Sequence, residues 1–254
     1  MLTAITRGVS PAIVNCELTF VARTAIDYAK AVEQHRAYES LLEHFGAEIL
    51  SLPAEPALAD SMFVEDPAIV LDELAVIFPL GSESRRAEAA SIAKALAPFR
   101  DLQYVSLPGT VEGGDILRIG KQLFAGLSKR TNAEGIGQLR AIVEKYHYTV
   151  TEVPVTGCLH LKSAVTSVGR DTLLGNRGWF AASRISGYQW IDVDAQEPHA
   201  ANALAFGSSV ILPASFPLTR ERLEAHGFDV TPLDISELQK AESGLTCSSL
   251  LFDA

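Results

Sequence analysis

Cysteine, basic charge and long apolar runs are scarce in this chain, and each scarcity removes a class of protein. The cysteines are Cys16, Cys158 and Cys247. Their odd number and wide separation, with no CxxC pair, give little support to a disulfide framework or a zinc site, so at least one thiol is expected to be free. No stretch approaches the ~18 consecutive apolar residues of a membrane span. Met1-Leu2-Thr3-Ala4 has neither the basic start nor the apolar segment of a secretory signal. A cytoplasmic location is the resulting expectation. Lys and Arg number 21 against 31 Asp and Glu, a formal net charge of -10. That balance speaks against nucleic acid and acidic membrane surfaces as partners and mildly favours attraction of a small cation. A Pro/Ser-rich linker is also absent, as is any low-complexity block. With 254 residues, 48% hydrophobic and 20% charged, the chain can bury a large core, and a single domain over 1–254 fits best.

What the chain does contain is a regular alternation of apolar segments. Apolar residues recurring at three and four predict long helices over 25–45, 84–99 and 132–146 and a shorter one over 219–225, with Ser84 and Asn132 as N-caps. Between them fall short strands at 47–52, 68–70 and 74–78, then 103–106, 115–119 and 122–125. The rhythm continues through 149–153, 162–167 and 172–174, then 189–193, 201–206 and 209–212. Helix, strand and tight strand pair recur at a period near ~50 residues, a spacing found in propeller-like arrays. Ile119-Gly120-Lys121, Val168-Gly169-Arg170-Asp171 and Phe206-Gly207-Ser208 read as the hairpin turns of successive units.

Each unit places a polar residue at the start of its first strand: Asp66, Glu112, His160, Asn202 and Cys247. In a closed ring of such units these positions converge on the central axis. Singly they are ordinary. A cysteine near a chain end is commonly a small buried hydrophobe, a histidine between leucines a satisfied core residue, and Glu-Gly-Gly a turn. Together they are the parts of a cysteine-nucleophile enzyme: a thiol to attack, an imidazole to move protons and carboxylates to hold a cation.

The motifs Asp27-Tyr28-Ala29-Lys30, Asp60-Ser61-Met62-Phe63-Val64-Glu65-Asp66-Pro67 and Glu83-Ser84-Arg85-Arg86 occupy the first part of the chain. Gly109-Thr110-Val111-Glu112-Gly113-Gly114-Asp115, Arg130-Thr131-Asn132-Ala133-Glu134-Gly135, Leu159-His160-Leu161-Lys162 and Cys247-Ser248-Ser249-Leu250 follow in order. As a set they resemble the guanidino-group-modifying enzymes of the pentein superfamily, and among these the bacterial dimethylarginine dimethylaminohydrolases. The resemblance implies an α/β fold, a five-bladed α/β propeller of ββαβ-like units with substrate held on the axis. It also implies hydrolysis of an Nω-methylated arginine to citrulline and an alkylamine. Cys247 is then the nucleophile, and Cys158, read as sharing a strand face with His160, a buried bystander. Arg85 and Arg130 fall on the substrate carboxylate, with Arg86 as the alternative to Arg85. Asp60 and the Leu18 backbone fall on its α-amino group, and Glu65 supports the acidic end of the pocket. Asn15-Cys16-Glu17-Leu18-Thr19-Phe20 matches the family's substrate-covering loop only loosely.

A guanidinium is planar, resonance-stabilised and cationic near neutrality, so attack on its central carbon needs an oriented and potent nucleophile. Glu112 and Asp66 match its fork of N–H donors. His160 would protonate the departing amine and then activate water to hydrolyse a covalent Cys247 thiouronium. No metal or organic cofactor is implied. The expected partner is a small cationic amino acid, with nucleic acid and membrane excluded and a homodimer left open. Three other readings stand beside this one: a related hydrolase of arginine or citrulline, a non-catalytic propeller of the same superfamily, and a Cys-His amide hydrolase. The chain has no room for the helical insertion of arginine deiminases, but a citrulline-like substrate stays open. Cys247, His160 and Glu112 together speak against the non-catalytic propeller, and the paired acids against an amidase.

Overall fold

The computed structural model describes residues 1–254, in which strand and helix alternate through five units. The first contains β1 (Leu2–Arg7), α1 (Tyr28–His44) and β2 (Glu48–Leu52). The second is β3 (Ala68–Val70), β4 (Leu74–Ile77), α2 (Glu88–Leu96) and β5 (Asp101–Tyr104); the third is β6 (Ile116–Ile119), β7 (Gln122–Leu127), α3 (Ala133–Val143) and β8 (Thr149–Pro154). A one-turn helix, α4 (Leu161–Ala164), leads into β9 (Val165–Gly169), β10 (Thr172–Gly175) and β11 (Gln189–Asp192). The fifth unit is β12 (Leu204–Phe206), β13 (Ser209–Pro213), α5 (Pro217–Ala225) and β14 (Asp229–Leu233). After α6 (Ser236–Gln239), β15 (Leu250–Asp253) returns to the first unit. Five three-stranded sheets result, ordered β15-β1-β2, β3-β4-β5, β6-β7-β8, β9-β10-β11 and β12-β13-β14. In each, inner and middle strands are antiparallel, and the outer strand runs parallel to the middle one after a crossover. Inner strands pack on one another, β15 on β3, β6 on β9 and β9 on β12, so the sheets are the blades of the expected α/β propeller.

Burial accounts for the sequence rhythm. Strands covered on both faces need apolar residues at every position, and Ala68-Ile69-Val70 and Leu74-Ala75-Val76-Ile77 are buried throughout. Outer strands β2 and β5 have no buried residue and read as mixed polar and apolar. Helix α1 begins where the Asp27 carboxylate accepts the Lys30 N–H, and it buries Ala31, Tyr38 and Leu42 in one cluster with Ile211 and Leu238. At about 1.5–3 kcal/mol for each large apolar side chain buried, that face holds the helix more firmly than its propensity does. Asn132 caps α3 as expected, accepting the Gly135 N–H at 2.8 Å. No helix is long and apolar enough to cross a membrane.

Several expectations need correction. Strands β1, β14 and β15 are additions to the expected set. The first sheet is closed by the two chain ends, Leu2 opposite Asp253 through Ile5 opposite Leu250, and no local pattern announces such a pairing. Ser84 does not cap α2. It lies in a 3-10 turn, Glu83–Arg85, and α2 starts at Glu88 because Arg85 turns inward onto Glu88 and Asp66. The strand expected at 103–106 lies at Asp101–Tyr104, in parallel register with Leu74–Ile77. Residues 162–167, expected to be extended, begin as α4. Cys158 sits in a bend, not a strand, so it shares no strand face with His160.

Candidate active site

The segments that enter the inner strands meet at one end of the axis and bind one another there. Glu65 N–H donates to the Cys247 carbonyl at 3.3 Å and Gly113 N–H to the Asp66 carbonyl at 2.8 Å. The Asn202 amide donates to the Lys162 carbonyl and the Thr246 hydroxyl, each at 3.0 Å. Asp66, Glu112, His160, Asn202 and Cys247 therefore come together from different blades, as the repeat predicts. The approach is close enough to explain the glycines of Glu-Gly-Gly-Asp. A Cβ on Gly113 would lie 2.0 Å from the Glu65 carbonyl oxygen, and one on Gly114 2.5 Å from His160 Nδ1.

His160 Nε2 lies 2.7 Å from Glu112 Oε2, and its Nδ1 lies 3.9 Å from Asp66 Oδ1. Desolvation opposes the imidazolium, but Asp66, the bond to Glu112 and the Asp115 charge outweigh it and raise the His160 pKa to about 9. Glu112 is fully buried. Desolvation would raise its pKa, yet the His160 hydrogen bond and charge, with Arg85 and Arg130, hold it at about 2. The pair is thus imidazolium and carboxylate at neutral pH. Cys247 Sγ accepts the Gly244 N–H at 3.4 Å. Desolvation, with Glu65 and Asp66 facing the thiol, pushes its pKa up to about 12, so it rests protonated.

Around this core the charged side chains are paired. Buried Arg85 donates to Glu88 through Nε at 3.1 Å and Nη2 at 2.9 Å, and to Asp66 through Nη1 at 2.9 Å. Arg130 Nη1 lies 3.5 Å from Glu112 Oε1 and has no hydrogen-bond partner; Nη2 donates to the Thr19 hydroxyl at 3.3 Å. Asp60, its pKa raised by burial, accepts the Glu17 N–H at 3.2 Å. The segment 17–21 forms a roof. Glu17 accepts the Ser84 hydroxyl at 2.6 Å. Glu242 accepts the consecutive N–H groups of Thr19 at 2.6 Å, Phe20 at 2.5 Å and Val21 at 3.0 Å. The cavity beneath, bordered by Asp60, Asp66, Arg85, Arg130, His160 and Cys247, measures about 20 Å³, room for one water. Admission of an amino acid requires the roof to move.

Of the residues expected at the site, Glu112 stands behind His160 and does not line the cavity, and Leu18 packs on the apolar cluster around α1. Glu65 does not line the cavity either. It binds Lys162 Nζ and accepts the Thr246 hydroxyl at 2.8 Å, bordering a separate cavity of about 290 Å³. Sequence reasoning missed Glu17, Glu88 and Glu242. Glu88 had a local signal, standing three residues after Arg85 at a helix start; Glu242 had none, since its partners lie more than 200 positions away. Asp66, Glu112 and His160 offer donor atoms within 4.8 Å of one another, a spacing a metal accepts. The Arg85 and Arg130 guanidinium groups, within 3.9 Å and 3.5 Å of Glu112, already supply the positive charge that a divalent ion would bring.

The arginine deiminase family model matches residues 55–196. Over 228 residues the chain is 37% identical to N(G),N(G)-dimethylarginine dimethylaminohydrolase of Pseudomonas aeruginosa, covering 89% of this chain and 90% of that one. It is 37% identical over 248 residues to the Streptomyces coelicolor protein of the same name, covering 97% and 95%. A solved structure of the P. aeruginosa enzyme, a cysteine-to-serine variant complexed with citrulline, matches with a TM-score of 0.92 and 34% identity. That match covers 99% of this chain and 100% of the other.

Proposed function

The chain belongs to the arginine deiminase family, with the dimethylarginine dimethylaminohydrolases among its relatives, and on that premise we propose that it hydrolyses an Nω-methylated L-arginine to L-citrulline and an alkylamine. The observation that carries the reading is the meeting of the Cys247 thiol, the His160–Glu112 pair and Asp66 around one roofed cavity. We take residues 1–254 as one catalytic domain, because every blade contributes to the ring around it.

A guanidinium entering this cavity meets Asp66, whose oxygens suit its N–H donors, while Glu112 adds its negative charge from behind His160. Its charge also acts on the thiol. A cation beside Cys247 offsets Glu65 and Asp66, brings the pKa down from about 12 and yields the thiolate where the electrophilic carbon lies. Sγ attacks that carbon, and His160, protonated at neutral pH because its pKa is about 9, delivers a proton to the departing amine. The C–N bond breaks and a Cys247 thiouronium remains. Neutral His160 then takes a proton from water, the oxygen adds to the same carbon, and the adduct collapses: the C–S bond breaks, the added hydroxyl gives its proton to solvent, and citrulline and the thiolate are released. Arg130, with its unpartnered Nη1, is the better placed anchor for the substrate carboxylate, since Arg85 is already bound by Glu88 and Asp66. Asp60 and the Leu18 main chain receive the α-amino group.

Incubation with asymmetric dimethylarginine, monomethylarginine, arginine and citrulline, with assay of citrulline, ornithine and amine, tests the reading. The methylated arginines should give the highest kcat/KM, because a neutral urea in the cavity leaves the buried charge of Asp66, and of Glu112 behind it, without the compensating cation. Glu112→Gln should lower their kcat/KM more than that of citrulline. A wild-type preference for citrulline would move the assignment to a ureido hydrolase.

The roof makes a separate prediction. Glu242→Ala removes the acceptor of the Thr19, Phe20 and Val21 N–H groups, and charge-assisted bonds of this kind contribute about 1.5–3 kcal/mol. KM for dimethylarginine should rise about tenfold, the low end of that range, with kcat within about threefold of wild type. An unchanged KM would show that closure does not depend on Glu242.

A further inference from the structure

The Glu-Gly-Gly-Asp turn carries a second carboxylate, to which the chemistry above gives no contact with substrate. Asp115 is fully buried, yet it pairs with no lysine or arginine, and both its oxygens are taken by neutral donors. Oδ1 accepts the N–H of Leu161 at 2.9 Å, the peptide that directly follows His160 and opens α4. Oδ2 accepts the Ser128 hydroxyl at 2.7 Å. The Ser128 oxygen itself accepts the N–H groups of Arg130 at 3.0 Å and Thr131 at 3.2 Å. The Thr131 hydroxyl accepts the N–H of Glu112 at 3.0 Å. One carboxylate thus reaches, directly or through Ser128 and Thr131, four main-chain N–H groups around the site.

Burying a carboxylate with no cation in hydrogen-bond contact is costly, and a side chain serving only to fill this space would be better apolar. The arrangement has a geometric use. Glu112 precedes and Asp115 ends a single 3-10 turn, and both act on His160, one at the ring and the other at the peptide beyond it. We propose that Asp115 is a positioning residue of the hydrolysis, fixing the main chain of His160 directly and that of Arg130 through Ser128. The proposal rests on the hydrolase reading above and adds to it a residue that touches neither substrate nor the reacting atoms.

The test uses the full chain with Asp115→Asn and Ser128→Ala. An asparagine can still accept from Leu161, but its amide N–H groups meet a Ser128 oxygen that already accepts two N–H donors. By the usual weight of groups that orient a catalytic side chain, Asp115→Asn should lower kcat roughly 10- to 100-fold with KM within about threefold. Ser128→Ala acts on the other arm and should raise KM about tenfold, with kcat within about threefold, by loss of the Arg130 support. An NMR titration of the His160 ring separates positioning from bulk stability. The charged groups facing that ring are Asp66, Glu112 and Asp115, with Arg85 and Arg130 behind the carboxylates. Removing the Asp115 charge should lower the midpoint by about one pH unit, while Ser128→Ala should leave it in place.

Wild-type kcat and ring titration in folded Asp115→Asn, whatever its Tm, would overturn the proposal. Should that variant not fold, Ser128→Ala decides, and an unchanged KM there overturns it equally. The titration needs no substrate. A wild-type protein inert toward every guanidino amino acid would therefore sink the hydrolase reading while the ring midpoint still judges Asp115.

Discussion

Serine in place of Cys247 is expected to lower kcat by roughly 10⁴-fold or more while Tm and fold stay close to wild type. The loss follows from the electrostatics of the site. The cysteine thiol already needs the incoming cation to ionise, since desolvation, Glu65 and Asp66 push its pKa up to about 12. A hydroxyl in the same place starts several pH units higher, and the nearest imidazole is held protonated by Glu112 and Asp66 and cannot serve as the base. Stability should change little, because the sulfur accepts one long bond, from Gly244 N–H at 3.4 Å, that an oxygen can also accept. Cys158→Ser is the paired experiment. Its thiol donates to the His160 carbonyl at 3.1 Å, and burial with the Asp115 charge pushes its pKa up to about 12. A serine keeps that bond, so most activity should remain. Rates of dimethylarginine turnover for both variants, with Tm as the control, decide between the thiols. An active Cys247→Ser beside a dead Cys158→Ser would reverse the assignment.

The two thiols differ already in their places within the repeat. Asp66, Glu112, His160 and Cys247 each occur just before an inner strand, and a ring of like units brings such positions to its axis; Cys158 has no such place. The second blade is legible in the sequence because β3 and β4 are covered on both faces and so written as unbroken apolar runs, and the others follow it as short, mainly apolar strand pairs. The pairing of β1 with β15 is not, since nothing near Leu2 or Phe252 in the sequence points to the other. Charge pairing is hidden for the same reason. Arg85 is expected on a substrate carboxylate, and the structure instead binds it to Glu88 and Asp66. Local spacing supplies the Glu88 contact, but the Asp66 contact exists only once neighbouring segments meet at the axis. The resemblance implies that Glu65 supports the acidic end of the pocket. The turn at 64–67 instead directs it onto Lys162 and Thr246. What sequence carries well is which residues approach the axis; what it carries poorly is which way each then faces.

His160→Gly should separate the two halves of the reaction. With dimethylarginine the departing group is an amine that must be protonated before it can leave, and His160 is the group held at a pKa of about 9 to do so. Its removal should lower kcat by about 10³-fold or more, since proton delivery and water activation both depend on it and each alone is worth about 10²–10⁴-fold. Asp60, Asp66 and Arg130, which border the cavity, are left in place, so substrate binding should survive. A substrate analogue whose leaving group is an alkyl thiol needs no such proton. With it, the first half proceeds and the second, lacking a base for water, stalls. Quenched mass spectrometry of the variant should then show Cys247 carrying the analogue less its thiol, with no adduct on Cys158. Wild-type turnover of dimethylarginine by His160→Gly, and no adduct with the thiol analogue, would mean that the imidazole is a core side chain bound to Glu112 and takes no part in the chemistry.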